Sequence, residues 1–203
     1  MSAQQLTLTV VDFESTGKVE GFPDEPWQIG MVLFKDGRVA RADAFCSLLR
    51  VGQRPFNPYA PGRHARLRDR LAVAPTLPDL WPRLRPWLTG RPLCAHNAAT
   101  EKRFLKNAFP LHKSGPWVDT LKLVRIAYPQ LVSHKLEDLL HSLDLASRVD
   151  RLCPGLEPHD ALYDSVACGI LLEHLLQQPA WNGVTMETLV HARRSAIQGD
   201  CPS

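Results

Sequence analysis

Four acidic side chains lie on strand or helix faces that are otherwise apolar. This feature limits the folds and functions open to the chain more than any other feature of its sequence does. The segment LTLTVVDFE spans residues 6–14, and within it Asp12 and Glu14 continue an alternating row of apolar side chains that begins at Leu6. Successive side chains of a β-strand point to opposite faces of the sheet. The alternation therefore predicts a strand whose two carboxylates project the same way near its end, a geometry that suits shared chelation of a cation.

Two further acids stand at helical spacing from apolar residues. Glu101 precedes Phe104 and Leu105 by three and four positions, in a segment whose periodicity predicts a helix over residues 99–108. A second such acid is Asp164, in the longest predicted helix. Its face is otherwise apolar, with Ala161, Ala167, Cys168 and Leu171. Each of these acids therefore lies on an apolar stripe.

The four carboxylates need a positive partner if they are buried together. A buried, unpaired carboxylate is costly in free energy, and repulsion between neighbouring carboxylates adds to that cost. No arginine or lysine lies on the same stripes, whereas a hard divalent cation takes oxygen ligands and neutralises two charges. The alternative is that each acid sits at the end of its element and reaches water. His159, five residues before Asp164, could accept a proton from a metal-bound water.

Hydrophobic periodicity and turn signals predict an α/β domain with a mixed sheet. Three alternating apolar segments come first, and Asp36-Gly37 between the second and third is a hairpin signal. They predict an antiparallel meander of three strands, after which strands alternate with flanking helices, as in parallel sheets. The predicted strands are residues 6–14, 28–34, 38–48, 92–95 and 117–118. The predicted helices are residues 63–72, 77–88, 99–108, 120–128, 134–143 and 160–176.

Length and cysteine usage bound the class of protein. A chain of 203 residues buries about 70% of its unfolded surface, so it needs no disulfide or structural metal to fold. Its five cysteines include no close pair, which argues against a disulfide framework or a zinc ribbon and indicates a reducing compartment. No segment is typical of a signal peptide, and no apolar run approaches the ~20 residues of a membrane span. We therefore expect a cytoplasmic protein without a membrane partner.

A basic segment divides the chain by charge. Residues 50–91 contain nine arginines against Asp69 and Asp79, a net charge of +7 in a chain whose total is +3. The remainder of the chain is therefore net acidic. A basic segment set against acidic residues is suited to holding a polyanion near a metal site, and a merely solvated surface is the alternative interpretation.

Three motifs carry a resemblance to a known family. They are VDFESTG at residues 11–17, LCAHNAATEKRFL at residues 93–105 and HDALYDSVA at residues 159–167. In order and spacing they resemble the motifs of the DEDDh 3′ to 5′ exonucleases, the group that includes the DnaQ-like proofreading subunit of bacterial polymerase and the TREX-like enzymes. The resemblance covers residues 6–178. It implies an RNase H-like fold and a two-metal hydrolysis of the terminal phosphodiester.

The resemblance also implies a role for each site residue. Asp12, Glu14 and Asp164 would hold the first of two magnesium or manganese ions, with Asp12 bridging to the second. Glu101 would be the fourth metal-site acid, and His159 the general base that deprotonates the attacking water. The residues expected to bind substrate are Ser15, Thr16, Gly17, His64, His96 and Asn97.

The second motif departs from the family pattern. Family members have aspartate where this chain has Glu101, and the extra methylene moves the carboxylate oxygens by about an ångström, a shift to which metal geometry is sensitive. We expect Glu101 to remain a metal-site acid with a preference shifted towards manganese. Thr100 replaces the usual aromatic residue of the nucleotide pocket. Asp119 is an alternative fourth carboxylate, although its position favours a helix cap.

The expected function is a standalone exonuclease that removes nucleotides from the 3′ ends of single-stranded DNA or RNA. We expect its domain over residues 1–180, followed by a short C-terminal helix and tail over residues 181–203. One rival is a nucleic-acid-binding module in which Glu101 has impaired catalysis. Another is a proofreading or adaptor subunit of a polymerase, which ranks lower because little chain follows Pro179 to bind a partner. The sequence leaves a homodimer open.

Overall fold

A mixed sheet of five strands runs through the described part of the chain, residues 7–60, 62 and 64–192 of a computed structural model. In chain order the strands are β1 (Leu8–Ser15), β2 (Pro26–Lys35), β3 (Arg38–Leu48), β4 (Leu93–Ala95) and β5 (Trp117–Asp119). Their order across the sheet is β3-β2-β1-β4-β5. The first three strands pair antiparallel, while β4 pairs parallel to β1 and β5 parallel to β4. The predicted meander with parallel strands beside it is confirmed.

Helices pack against this sheet. They are α1 (Arg68–Ala72), α2 (Trp81–Leu88), α3 (Ala99–Ala108), α4 (Thr120–Ala127), α5 (Leu136–Ser142), α6 (Ala146–Leu152), α7 (Ala161–Leu176) and α8 (Met186–His191). The sequence analysis did not predict α6, because this short helix buries only Val149 and so shows no clear period. Leu6 of the first predicted strand, Arg63 and the tail from residue 193 lie outside the described residues. Within the described ranges no helix is both long and apolar enough to cross a bilayer.

Strand β1 separates two hydrophobic clusters. Leu8 and Val10 pack on one face with α7, while Val11 and Phe13 pack on the other face with α2 and α3. Helix α7 lies against β1, β2 and β3, and 14 of its 16 residues are buried. A helix that is buried on nearly all sides belongs to the centre of a molecule. The candidate acid Asp164 is therefore carried by the most enclosed helix of the fold.

Close contact between β2 and α7 depends on Gly30. A Cβ at this position would lie 2.1 Å from the backbone carbon and oxygen of Ala161, a separation that real Cβ atoms do not adopt. Gly30 is also the partner of Asp12 across the β1–β2 pair. The missing side chain thus lets the first turn of α7 rest on the sheet beside the strand acids.

Gly30→Ala is expected to lower the free energy of unfolding by about 2 kcal/mol or more, because the backbone of α7 has to move away from the sheet. For a chain of this size the melting temperature would fall by roughly 4–8 °C, measured by circular dichroism. Gly169→Ala on α7 is the matched control. Its Cβ would meet chiefly the Cγ2 of Val39, a side-chain end that can rotate, and alanine favours a helix. Equal stability of the two variants would contradict this account.

Several arginines of the basic segment make contacts within the fold. Arg54 donates to two backbone carbonyls at 2.7 and 2.9 Å. The guanidinium of Arg68 lies 4.2 Å from the ring centre of Phe56, and that of Arg83 lies 4.9 Å from the ring centre of Phe45. These side chains brace the irregular segment between β3 and β4. Part of its positive charge therefore serves the fold itself.

Candidate active site

The acids of the first and third motifs meet where β1 ends and α7 begins. On β1, Asp12 pairs with Gly30 and Glu14 pairs with Gln28 of β2. Gln28 is buried, and its side-chain amide donates to Oδ2 of Asp160 at 2.9 Å. The other carboxylate oxygen of Asp160 accepts from the first backbone N–H groups of α7 and caps that helix. Strand β2 therefore pairs with the strand that carries Asp12 and Glu14, and it also holds the start of α7, the helix that carries Asp164.

The histidine of the third motif lies against two of the acids. His159 precedes α7 and has a φ of +66°, in the left-handed region. Its backbone N–H donates to Oδ2 of Asp164 at 3.1 Å. One potential ligand atom each from Glu14, His159 and Asp164 all lie within 4.8 Å of one another. The structure thus brings together a carboxylate pair and an imidazole at one point.

Burial and mutual repulsion weaken the acidity of these carboxyl groups. Burial, followed by the charge of Asp164, raises the pKa of Glu14 to about 8. Burial raises the pKa of Asp164 to about 7, against the lowering effect of the His159 N–H. Burial, followed by the charges of Asp164, Glu14 and Glu101, raises the pKa of Asp12 well above its ordinary value. These shifts are those of buried negative charges placed close to one another.

The second motif brings a fourth acid to this group. Glu101 lies in the first turn of α3 with only 4% of its surface exposed. Burial raises its pKa to about 8, and the charge of Asp119 also raises it. Its Oε2 has no hydrogen-bond partner within the described residues. Buried carboxylate oxygens normally have partners, so this atom points to a ligand of positive charge.

Asp119 is committed to the backbone. Its Oδ1 accepts from the backbone N–H groups of Leu121 and Asn97, both at 3.1 Å. The first bond caps α4, as the sequence predicted. The second holds Asn97, an exposed residue with a φ of +68°, in the turn between β4 and α3. Asp119 therefore positions the second motif beside the four-acid group.

The four acids fit a divalent cation. Their donors are carboxylate oxygens, which magnesium and manganese prefer. A cation among them would relieve the repulsion that raises the pKa values of Asp12 and Glu14, and would give the Oε2 of Glu101 a partner. The imidazole of His159 stands within reach of the same place.

Four of the residues predicted to bind substrate lie at the end of β1 or near it. Ser15 and Gly17 are half-buried, while Thr16 is buried and its hydroxyl accepts from the backbone N–H of Glu25 at 3.1 Å. His64 stacks on the ring of Phe56 with 4.4 Å between ring centres. The ring of Trp27 lies 6.2 Å from that of His64, and its indole N–H donates to the backbone oxygen of Ser15 at 3.1 Å, so these residues form one wall at the end of β1.

The other two predicted residues, His96 and Asn97, belong to the second motif. Nδ1 of His96 lies 2.9 Å from the hydroxyl oxygen of Thr120, and its Nε2 lies 2.9 Å from the backbone oxygen of His134. Burial lowers the pKa of His96, which favours the neutral ring. Because both ring nitrogens have protein partners, His96 ties together β4, α4 and the loop before α5.

Sequence reasoning missed Gln28 and Gly30 as parts of the site. Gln28 is polar yet only 4% exposed, and Gly30 stands two residues further along the same strand face. The sequence did contain a signal, because an apolar strand with a polar residue and a glycine at alternate positions indicates that another element packs closely against that face. That neighbour is the start of α7.

The buried acids make stability depend on pH and on divalent metal. Their carboxyl pKa values are raised, to about 8 for Glu14 and Glu101 and about 7 for Asp164. The stability that their neutral forms contribute is complete below the ordinary pKa values of 3.8 for Asp and 4.5 for Glu, and it is lost as pH rises through 7 to 8. In EDTA, the melting temperature should therefore fall by roughly 5 °C or more between pH 6 and pH 9. Manganese or magnesium at pH 8 should restore it, and a flat profile in EDTA would contradict the assignment.

Comparison with known proteins matches this fold. A solved structure of exonuclease X in complex with 5′ overhanging duplex DNA superposes with a TM-score of 0.67 and 26% identity, covering 90% of this chain and 99% of that one. The nuclease domain of 3′hExo, a DEDDh family member bound to rAMP, has the same fold, with a TM-score of 0.67 and 19% identity over 89% and 96% of the two chains. The fold is therefore RNase H-like, and the predicted resemblance to the DEDDh, DnaQ-like exonucleases is confirmed.

Sequence comparison gives the family directly. The family model for RNase_T exonucleases matches residues 9–172, so the chain belongs to the RNase T exonuclease family. It is 29% identical over 184 residues to a DNA polymerase III subunit epsilon-like protein of Rhodobacter capsulatus, covering 89% of this chain and 25% of that protein. It is 28% identical to the PolC-type DNA polymerase III of Bacillus cereus, covering 84% and 11%. The chain thus spans a quarter or less of these relatives. The family and the fold support a nuclease that acts with divalent metal.

Proposed function

We propose that this chain is a 3′ to 5′ exonuclease that hydrolyses the terminal phosphodiester bond of single-stranded DNA or RNA and releases nucleoside 5′-monophosphates. The observation that supports it is the group formed by Glu14, His159 and Asp164, whose ligand atoms lie within 4.8 Å of one another, with the buried carboxyl groups of Asp12 and Glu101 beside it. Two similar proteins have names that agree with this activity, exonuclease X and the 3′-5′ exonuclease DinG of Staphylococcus haemolyticus. The DinG protein is 29% identical over 152 residues, covering 71% of this chain and 16% of that protein. The proposed catalytic domain is residues 1–180, with residues 181–203 as a short extension.

Each residue of the site has a distinct task in this proposal. Two magnesium or manganese ions, when bound by the four carboxylates, would supply Lewis acidity at the attacking water and at the leaving 3′ oxygen. The imidazole of His159 accepts the proton of the attacking water. The water oxygen bonds to phosphorus, the bond to the 3′ oxygen of the preceding nucleotide breaks, and that oxygen takes up a proton. Asp164 holds His159 in place through the backbone hydrogen bond at 3.1 Å.

The terminal nucleotide is proposed to sit against the wall that follows β1. Ser15, Thr16 and Gly17 offer backbone groups beside Glu14, and His64 offers a stacked ring on the same side. Asn97 presents its side chain from the exposed turn of the second motif. These contacts would fix the sugar and base while the acids act on the phosphate.

Digestion of matched 5′-labelled DNA and RNA oligonucleotides by the purified chain tests the proposal. We expect a ladder that shortens from the 3′ end in magnesium or manganese and is absent in EDTA. Activity of the chain alone would support a standalone enzyme over an obligate polymerase subunit. Cleavage that starts at internal positions, or cleavage that persists in EDTA, would overturn the assignment.

A nucleic-acid-binding module is the second candidate, and the observation that favours it is glutamate in the second motif. Its additional methylene alters the reach of the carboxylate that stands without a partner in the described structure. Glu101→Asp separates the two candidates. A wild-type chain that binds single strands without cleaving them, together with a cleaving Glu101→Asp variant, would establish the binding module.

A further inference from the structure

An open cleft adjoins the four-acid group, and neither Ser15–Gly17 nor His64 is among its lining residues. Its volume is about 580 Å³, and His159 and Asp164 form part of its wall. From these residues the cleft extends to the start of α5 and to the loop that precedes it. None of its lining residues comes from the basic segment over residues 50–91. Of the residues that line it, only His96, Asn97, His159 and Asp164 were predicted from the sequence to belong to the site.

Two histidines hold the far wall of the cleft in place. Nε2 of His96 lies 2.9 Å from the backbone oxygen of His134, and Nε2 of His134 lies 3.0 Å from the backbone oxygen of Tyr128. The loop between α4 and α5 is therefore tied both to β4 and to the end of α4. A wall fixed in this way keeps the cleft open before any ligand arrives, which lowers the ordering cost of binding.

The side chains that line the cleft suit a phosphodiester strand. Arg125 and Lys135 are exposed, and within residues 7–60, 62 and 64–192 neither side chain has an ion pair or a hydrogen bond. Val132 is fully exposed and offers an apolar surface for a sugar or a base. Glu137 is the one acidic residue of the lining besides Asp164. Two uncommitted cations beside an apolar side chain match a chain of alternating phosphates and nucleosides.

The opposite side of the acids has less room. A Cβ at Gly62 would lie 3.6 Å from Oε2 of Glu14 and 3.4 Å from the backbone oxygen of His159. The segment that carries His64 therefore closes against the acids there. A polynucleotide whose terminal nucleotide occupies that enclosed side must leave the site through the open side.

We propose that this cleft binds the nucleotides that precede the scissile phosphate, with Arg125 and Lys135 contacting successive backbone phosphates. The proposal rests on the proposed function and adds to it the path of the strand. It assigns single-stranded polynucleotide to the cleft, because the ligand is recognised through phosphate charge and an apolar contact rather than through a paired duplex edge.

Two substrates of different length test the proposal. A ten-nucleotide oligothymidylate is long enough to extend through the cleft, whereas the p-nitrophenyl ester of thymidine 5′-monophosphate supplies only the terminal nucleotide and a leaving group. In the Arg125→Gln/Lys135→Gln variant we expect kcat/KM for the oligonucleotide to fall roughly tenfold, mainly through KM, and kcat/KM for the ester to change far less. Arg151→Gln, an exposed arginine outside the cleft, is the matched control. Equal losses on both substrates, or no loss on either, would overturn the proposal.

Direct binding keeps this test separate from that of the proposed function. Fluorescence anisotropy of a 5′-labelled oligothymidylate in EDTA, measured from low to moderate salt, requires no turnover. For each lost phosphate contact the slope of log K against log salt should become shallower by about 0.7. If the wild-type chain cleaves neither substrate, the proposed function fails, and this slope still decides the cleft. An unchanged slope in the double variant would refute the strand path.

Discussion

Asp164→Asn should reduce the rate of hydrolysis by roughly a thousandfold or more while making the protein more stable at pH 8 in EDTA. The carboxylate is one of the acids proposed to hold metal, and an amide oxygen is a weaker, uncharged ligand. Burial raises the pKa of Asp164 to about 7, so at pH 8 its negative charge destabilises the folded chain and the neutral amide removes that cost. The measurements are single-turnover cleavage in manganese and thermal unfolding in EDTA.

The prediction is specific because the same substitution should lower the rate of hydrolysis and raise the stability. Asparagine keeps an oxygen that can accept the backbone N–H of His159, so the loop geometry is retained. Asp144→Asn is the matched control, because Asp144 is exposed and asparagine tolerates its positive φ of 56°. We expect that variant to match the wild type in both assays. A rate for Asp164→Asn within tenfold of the wild type would remove Asp164 from the proposed metal site.

His159→Asn should lower the rate by about a hundredfold to ten-thousandfold and leave binding of single strands nearly intact. The imidazole is proposed to accept the proton of the attacking water, and asparagine has no group that does so near neutral pH. Asparagine is chosen because His159 has a φ of +66°, a conformation that asparagine adopts more readily than alanine does. The measurements are the cleavage rate in manganese and the dissociation constant for an oligonucleotide.

A glycine variant at position 159 provides a second test of the proposed proton transfer. His159→Gly also tolerates the left-handed backbone and leaves space beside Glu14 and Asp164. Added imidazole should restore part of the lost rate, with a dependence on pH that follows the neutral form of the added base. No rescue, together with a loss of metal affinity, would instead make His159 a metal ligand.

The elements of this fold could be predicted from the sequence because their signals are local. The alternation before Glu14 defines β1, the Asp36-Gly37 turn defines the meander, and the apolar period around Asp164 defines α7. The convergence of the acids followed from a resemblance in motif order, and the structure now shows its physical basis. Faces that look apolar in sequence do carry the acids into a buried place, where their pKa values rise.

The supports of the site could not be predicted, because they join residues that are distant in the chain. Gln28 meets Asp160 across 132 positions, and His96 meets the backbone of His134 across 38. Neither contact produces a periodic pattern in the sequence. The contacts of the basic segment could not be predicted either: its arginines are conspicuous in composition, and two of them, Arg54 and Arg68, contact the fold itself. The cleft beside the acids instead has Arg125 and Lys135, two cations that do not belong to a basic run in the sequence.

Helix α7 places Asp164, a proposed metal ligand, in the most enclosed part of the protein. Almost every residue of that helix is buried against three strands, so its amide protons can exchange with solvent only when the whole fold opens. The loop before α5 is less buried than this helix, but the hydrogen bonds of His96 and His134 hold it in place. Substrate can therefore enter and leave a cleft that is already open, while the acid on α7 keeps its position until the domain itself unfolds.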